Sequence, residues 1–320
     1  MSAYFHSYLC GRKAAEWLID MKKYFTDPEK RFKLGCAIIM SIFALFCLAP
    51  FVLMISASIS DENVLFNEGY QFFPSKLSFD AYKYLWAKRE TIGRAYLLTI
   101  ILTALGTSIN VIITSMFAYP LSRQDFKPRN VMAFFIFFTM LFNGGMTASY
   151  IIWTQIFHIK NTFWALLLPN YLMSGMNVLL VRNYYTGSIP TDILDAARID
   201  GATEMRIYRS IILPLSKPVI ITVALFAGIA YWNDWSNAMY YISDQKLYSI
   251  NAYLNNLQNN IKLLTMQSSL TEGANLQGLQ LPTISARMAI AMIAVLPVAL
   301  IFPFVQSQLI KGVVIGGVKG

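Results

Sequence analysis

Charged residues are scarce in this chain of 320 residues, and that scarcity argues against an ordinary soluble domain. They make up 13% of the sequence, whereas hydrophobic residues make up 56% and the mean hydropathy is +0.48. Soluble domains carry about 25% charged residues. A chain with half that share and long uncharged runs is typical of a polytopic membrane protein. The net charge of +9 therefore predicts a basic cytoplasmic face and no nucleic-acid partner.

Cysteine and histidine are also scarce, which leaves little material for a metal site or for catalysis. The cysteines, Cys10, Cys36 and Cys47, are odd in number and lack metal-ligand spacing, so neither a zinc site nor a disulfide framework is predicted. His6 and His158 lie far apart, and no pair of acids falls inside an apolar run. The Walker A pattern G-x4-G-K-[ST] is missing as well. We expect this chain to be no enzyme and to bind no metal or cofactor.

What is present is a series of apolar runs, each long enough to approach the roughly 20 residues that cross a bilayer. The third run is interrupted by "NGG" at Asn143–Gly145, where a helix could end or kink. The six predicted spans cover 34–57, 95–119, 131 to beyond 152, 162–181, 219–232 and 288–305. The sequence therefore predicts an all-α polytopic membrane protein, with an N-terminal segment over 1–31 and a six-span domain over 32–320.

The distribution of basic residues predicts the orientation. Six spans place both termini on one side, and that side holds 17 of the 26 Lys and Arg. The positive-inside rule makes this side cytoplasmic, so we expect a bacterial cytoplasmic-membrane protein with both termini inside. The outer loops, about 58–94 and 235–286, are long. The second is too long for a plain turn, so it is either disordered or reaches toward an external partner.

A polar segment of about residues 188–217 lies on the cytoplasmic side between the fourth and fifth spans. It includes the stretch "DAARIDGATEMRIYRSIILPLSKP". Pro190 suits a first helical turn, and Gly201 suits the left-handed position just past a helix end. Thr203 can cap a second helix. The pattern predicts a short helix, a bend at glycine and another helix that feeds the fifth span.

The small residues of this segment leave a low surface with charges at its rim. Docking in a groove of a soluble partner fits such a surface. An amphipathic helix on the lipid headgroups is the alternative, but it would need a bulkier apolar face. The candidate docking residues are Asp195, Ala196, Ala197, Arg198, Asp200, Gly201 and Ala202.

These residues carry a resemblance to a known family. The segment resembles the cytoplasmic signature of ABC importer permeases, EAA-x3-G-x9-I-x-LP, with aspartate in place of the glutamate. The matching residues are Asp195, Ala196, Ala197, Gly201, Ile211, Leu213 and Pro214. Three further stretches resemble the MalG-type subunit of carbohydrate importers, within a branch that serves complex oligosaccharides: "FFPSKLSFDAYKYL" at 72–85, "YWNDW" at 231–235 and the tail "LIKGVVIGGVKG" at 309–320.

The resemblance implies a type I importer assembly in which this chain is one permease. Its partners would be a second, MalF-like permease, two cytoplasmic ATP-binding cassette subunits that bind ATP and Mg, an extracytoplasmic solute-binding protein and membrane lipid. The polar segment would be the coupling helix in the ATPase groove, where Asp195, Arg198 and Asp200 could pair with charges on the ATPase. The basic C-terminal tail could also touch the ATPases.

The sequence identifies the residues of the substrate path less clearly than those of the docking segment. Polar side chains within spans usually face protein or water, and sugars bind to amides, carboxylates and aromatic rings. The candidate path residues are Asn177, Tyr231, Trp232, Asn233 and Asp234, and other polar groups in spans are Asn110, Asn143 and Asn170. Hydrogen bonding between helices is the competing explanation for all of them.

Two other functions remain as alternatives. A permease of a peptide or amino-acid importer would share the cytoplasmic signature. A secondary transporter would usually show internal repeats and carboxylates at midplane, and neither is evident, since Asp234 lies near a span end. The sequence therefore favours a sugar or oligosaccharide importer.

Overall fold

The chain is built almost entirely of helices. A computed structural model describes residues 28–270 and 284–317. Within those ranges the only extended pairing is an isolated bridge between Ser60 and Leu77. The predicted all-α fold is therefore confirmed. Most of the predicted N-terminal segment 1–31, and residues 271–283 of the second outer loop, lie outside the described residues.

The first half of the fold contains two long helices separated by a short outer element. In chain order the helices are α1 (Pro28–Ser58), α2 (Glu62–Asn67), α3 (Asp80–Ala87), α4 (Arg89–Ser122), α5 (Arg129–Leu141), α6 (Gly145–Ile151) and α7 (Trp164–Leu167). A π-helical turn, Ile152–Ile156, continues α6. The outer loop 58–94 is therefore partly helical.

The second half contains the polar segment and ends in a third long helix. Its helices are α8 (Gly175–Ser188), α9 (Thr191–Ile199), α10 (Glu204–Ile207), α11 (Leu213–Leu215), α12 (Lys217–Trp232), α13 (Ser236–Tyr241), α14 (Ile250–Leu270) and α15 (Ile284–Gly317). A π-helical turn joins α10 to α11, and a 3-10 turn, Gln245–Leu247, precedes α14. The described part of the second outer loop thus holds ordered helices.

Three of these helices are long and apolar enough to cross a membrane, namely α1, α4 and α15. Two bent pairs raise the number to five if each pair is one span: residues 129–156, bent by 110°, and residues 204–232, bent by 81°. The first, second, fifth and sixth predicted runs all fall on helices. The count of six stays a prediction. The C-terminal helix also runs to Gly317, well beyond the predicted end at 305.

The fourth predicted span was wrong as a continuous helix. The run 162–181 contains α7, an irregular stretch and only the beginning of α8. Pro169 cannot donate a helical hydrogen bond, and Asn170 has a φ of +69°, a left-handed conformation that ends a helix. The helix that restarts at Gly175 runs on to Ser188. Hydropathy marked the apolar run but not the break inside it.

The third predicted run breaks where "NGG" suggested. Helix α5 ends at Leu141, and the chain turns through 110° before α6. Gly145 has a φ of +80°, which glycine adopts without a steric cost. Its backbone N–H donates to the Asn143 side-chain oxygen at 2.8 Å, which closes the turn. The two sequence alternatives were an end or a kink, and the structure shows an end with a sharp turn.

The core is centred on the packing of α12 against α4. Gly106 of α4 lies against the Tyr231 ring, and Gly228 of α12 lies against Thr107. Toward the polar segment, a buried cluster contains Leu121, Val178, Val181, Ile207, Ile212 and Val223. By contrast, none of the apolar stretch of α1 is buried within the chain. Its surface is suited to lipid or to another subunit.

The first outer loop is hydrogen-bonded to the start of α15. Glu62 accepts hydrogen bonds from the backbone N–H groups of Ile284 at 2.8 Å and Ser285 at 3.1 Å, and from the Ser285 hydroxyl at 2.7 Å. A carboxylate at a helix N-terminus satisfies backbone donors and complements the helix dipole. The first outer loop therefore fixes the entry of the last long helix.

Candidate docking segment and substrate path

The predicted helix–bend–helix of the polar segment is present. Helix α9 ends at Ile199, and Gly201 has a φ of +80°. The N–H of Ala202 donates to the Ala197 carbonyl, and the N–H of Gly201 donates to that of Arg198, both at 2.9 Å. This pair of bonds is the Schellman closure of a helix, which favours glycine at the left-handed position. The Thr203 hydroxyl caps α10 by accepting from the backbone N–H of Arg206.

The predicted docking residues divide between an exposed and an inward face. Asp195, Ala196, Asp200 and Gly201 are exposed. Ala197 and Ala202 are half-buried and pack against the chain's own core cluster. The most exposed apolar residue of the segment is Ile199, at 88%. The small residues therefore serve close packing within the chain as well as a low outer surface.

A shallow hollow lies beside the bend. It has a volume of about 240 Å³ and is lined in part by Asp200, Ala202, Arg206 and Ser210. Asp200 forms no ion pair among the described residues. Its exposed carboxylate and the hollow next to it are available to an external partner.

Arg198 forms ion pairs within the chain, and its pairing with an ATPase charge stays a prediction. Its guanidinium contacts Asp195, Glu204 and, from the turn after α4, Asp125. Although partial burial would raise it, the carboxyl group's own backbone N–H and the Arg198 and Arg123 charges hold the pKa of Asp125 below its ordinary value. The hydrogen bond to Glu204 raises the pKa of Arg198. The Asp125 carboxylate and the Arg198 guanidinium are therefore both charged at neutral pH.

Sequence reasoning missed Asp125 and Glu204 as members of this arrangement. Asp125 is the only acid in the otherwise basic turn "PLSRQDFKPRN". That isolated acid was a signal for an internal partner, but its distance of 73 residues from Arg198 hid the partner's identity.

The aromatic members of the predicted substrate path use their polar atoms within the chain. The Tyr231 hydroxyl donates to the Leu167 carbonyl at 2.9 Å, and the Trp232 indole donates to the Ala294 carbonyl at 3.0 Å. The Asn110 and Asn170 side chains likewise bond to Tyr171 and Asn237. These contacts are hydrogen bonds between separate segments, the competing explanation for such residues.

The remaining path candidates lie in different surroundings. Asp234 is buried one residue before the N-cap of α13, and one of its oxygens accepts from the backbone N–H groups of Ser236 at 3.0 Å and Asn237 at 3.2 Å, and from the Ser236 hydroxyl at 2.9 Å. Asn233 is exposed, and Asn177 is buried in the first turn of α8. The structure brings residues 231–234 together at the end of α12, with Asn177 on another helix. A role in substrate passage stays a prediction.

We expect Asp234→Ala to destabilise the fold because it removes the acceptor of the first two backbone N–H groups of α13. Loss of a side-chain acceptor at a helix start costs about 0.5–2 kcal/mol of unfolding free energy. The measurement is thermal unfolding in detergent, with the exposed neighbour in Asn233→Ala as the control that leaves the midpoint unchanged. Equal midpoints for the two variants would rule out a structural role for the Asp234 carboxylate.

The comparisons with known proteins cover most of the chain. Residues 86–315 match the sequence model of the family described as "Binding-protein-dependent transport system inner membrane component". The chain is 32% identical over 279 residues to the polygalacturonan/rhamnogalacturonan transport system permease protein YtcP of Bacillus subtilis (strain 168), covering 87% of this chain and 95% of the relative. It is 26% identical over 281 residues to the trehalose/maltose transport system permease protein MalG of Thermococcus litoralis, covering 87% and 94%.

A solved structure shares the fold. It is a chain from the crystal structure of a bacterial ABC transporter involved in the import of the acidic polysaccharide alginate. The TM-score is 0.72 at 27% sequence identity, and the match covers 88% of this chain and 98% of the other. The similarity therefore extends over nearly the whole of the solved chain.

Proposed function

The chain belongs to the family of binding-protein-dependent transport system inner membrane components, and from that premise we propose that it conducts a sugar or oligosaccharide into a bacterial cell. As a member of this family it is a permease subunit of an ABC importer, with helical spans in the inner membrane. The proposal is supported most strongly by one combined observation: both the fold and the polar segment of this chain match those of known importers. The chain shares its fold with an alginate importer and bends at Gly201, where the family signature has its glycine.

The substrate class is supported by the relatives. Their names state polygalacturonan and rhamnogalacturonan, trehalose and maltose, and alginate. All five are carbohydrates, and alginate is described as an acidic polysaccharide. We therefore propose oligosaccharides as the substrate class, rather than peptides or amino acids.

The proposed assembly contains a second, MalF-like permease, two ATP-binding cassette subunits and an extracytoplasmic solute-binding protein. The ATPases would bind ATP and Mg, while this chain would carry no cofactor and bind no nucleic acid. The unburied surface of α1 would face lipid or the second permease. The excess of Lys and Arg on one side supports termini in the cytoplasm.

Within this assembly the segment 188–217 would be the coupling segment, which docks on an ATPase. Its exposed tip, formed by Ile199, Asp200 and Gly201, supports that role. Closure of the ATP-bound dimer would displace the segment and, through it, the spans. A rigid element shared by two states is the physical requirement for such coupling.

Purification of the tagged chain from its own membranes in mild detergent tests the assembly. We expect an ATP-binding cassette subunit, a second permease and a solute-binding protein to co-purify and to be identified by mass spectrometry. The binding protein is then titrated with oligogalacturonides, alginate oligosaccharides, maltose and a dipeptide mixture. Binding of dipeptides alone would replace the sugar proposal, and recovery of the chain without any partner would favour a secondary transporter.

A further inference from the structure

Arg198 joins three acidic residues that come from different parts of the fold. Its Nη2 contacts Asp125 at 2.9 Å, its Nη1 contacts Asp195 at 3.2 Å and its Nε contacts Glu204 at 2.8 Å. Asp125 lies in the turn after α4, Asp195 lies on α9 and Glu204 begins α10. The planar guanidinium presents donors in a fixed fork, so one arginine can hold all three carboxylates in one geometry.

A second set of contacts extends this arrangement to the end of α4. The Tyr119 hydroxyl donates to the other oxygen of Glu204 at 2.5 Å. Arg123, nearly buried, lies 3.5 Å from Asp125 and 4.0 Å from Asp195. The last turn of α4 therefore contacts the segment on both sides of the bend at Gly201.

The same helix end is also held by the helix that precedes the segment. Arg182 of α8 donates through Nε to the Leu121 carbonyl at 3.1 Å. This contact fixes α8 against α4 without involving the docking surface. The Arg198–Asp125 ion pair, together with the longer Arg123–Asp195 contact, links the short helix α9 to the turn after α4.

The covalent path from the segment leads to a different helix. Helix α10 continues through α11 into α12 across a bend of 81°. A displacement of the segment therefore acts on α12 through the backbone, whereas it acts on α4 only through side chains. Those side-chain contacts include the Arg198–Asp125 ion pair, the Tyr119–Glu204 hydrogen bond and a buried hydrogen bond of 2.8 Å between Ser115 and Tyr208.

We infer that Arg198 is a positioning residue that fastens the coupling segment to the inner end of α4, with Asp125 as its essential partner on that helix's turn. Movement of the segment is then passed to α4 and α12 together. The inference rests on the proposed docking of an ATPase on the segment. It assigns Arg198 to the inside of the permease rather than to the ATPase surface, and it gives Asp125 a role in coupling.

The exposure of these groups determines which variants test the inference. Arg198 is 29% exposed as a side chain, whereas Asp125 is 58% exposed. Asp125→Asn removes, at a mainly exposed position, the carboxylate charge that pairs with Arg198 and Arg123, and it leaves the contacts of Arg198 with Asp195 and Glu204 in place. Lys127→Gln is the matched control, because it removes a charge from the same turn and Lys127 forms no ion pair among the described residues.

The complete importer, reconstituted in proteoliposomes with its binding protein, provides the readout as sugar taken up per ATP hydrolysed. We expect Asp125→Asn to assemble normally and to lower this ratio about threefold to thirtyfold, the range typical of residues along a coupling route. Lys127→Gln is expected to match the wild type. Asp125→Glu, which restores the charge, is expected to recover most of the ratio, which a merely structural loss would not explain.

A double-mutant cycle decides whether the two residues act together. We expect Asp125→Asn to cause no further loss when Arg198→Gln is already present, because the pair is then broken. Independent, multiplying losses would overturn the inference, as would an unchanged ratio in Asp125→Asn. Failure of the wild-type importer to take up sugar would instead refute the proposed function, so the two failures are distinguishable.

Discussion

Gly201→Asp is expected to abolish ATP-driven uptake while the chain still inserts into the membrane and assembles. Apart from the two chain neighbours of Gly201, no heavy atom of the described residues lies within 4 Å of a Cβ added at this position, so the substitution does not disturb internal packing. The φ of +80° adds a conformational cost of about 1–2 kcal/mol for an L-residue. The new carboxylate would stand beside the exposed Asp200 on the proposed docking surface.

Two further variants at this position separate the effects of charge, side-chain volume and backbone conformation on uptake. Gly201→Asn has nearly the same volume without the charge, and asparagine tolerates the left-handed conformation better than most residues. Gly201→Ala adds little volume but keeps the conformational cost. We expect uptake to follow the order alanine and asparagine above aspartate. Normal uptake by Gly201→Asp, with the protein at wild-type abundance in the membrane, would contradict the docking role.

Gly106→Ala is expected to destabilise the permease strongly, because it forces α4 away from α12. A Cβ at this position would overlap the Tyr231 ring and lie 2.6 Å from its Cε1 atom. Overpacking of this kind costs about 1–3 kcal/mol. Displacement of the ring would also break the buried hydrogen bond from Tyr231 to Leu167, at about 1 kcal/mol.

Thermal unfolding in detergent measures this effect against a control on the same helix. Gly93 of α4 has open space around an added Cβ, so Gly93→Ala is expected to be neutral or slightly stabilising. Addition of Tyr231→Leu to Gly106→Ala should restore part of the lost stability by opening room for the new methyl group. If Gly106→Ala and Gly93→Ala unfold at the same temperature, the close approach of the two helices is wrong.

Local features of the segment were predictable from the sequence because their causes are local. The end of α9 at Gly201 and the cap at Thr203 depend on residues within a few positions of each other. The same applies to the turn at Asn143–Gly145.

Long-range partners were not predictable from the same information. The partner of Arg198 within the chain was not predicted, because Asp125 lies 73 residues away and no periodic pattern connects them. The break inside the fourth predicted span was missed because hydropathy averages over Pro169 and Asn170, whose effect is on the backbone. The contact of Tyr231 with Gly106 depends on how α4 and α12 pack, which a single sequence does not specify.

The most direct test of the docking role places a photo-crosslinking amino acid at Ile199 in living cells. This residue is 88% exposed at the tip of the segment. Phe73, also 88% exposed but in the predicted outer loop 58–94, is the matched control. We expect a covalent adduct between the Ile199 position and an ATP-binding cassette subunit, identified by mass spectrometry, and none from Phe73. Lipid adducts alone at Ile199 would contradict the docking role and show a helix on the headgroups.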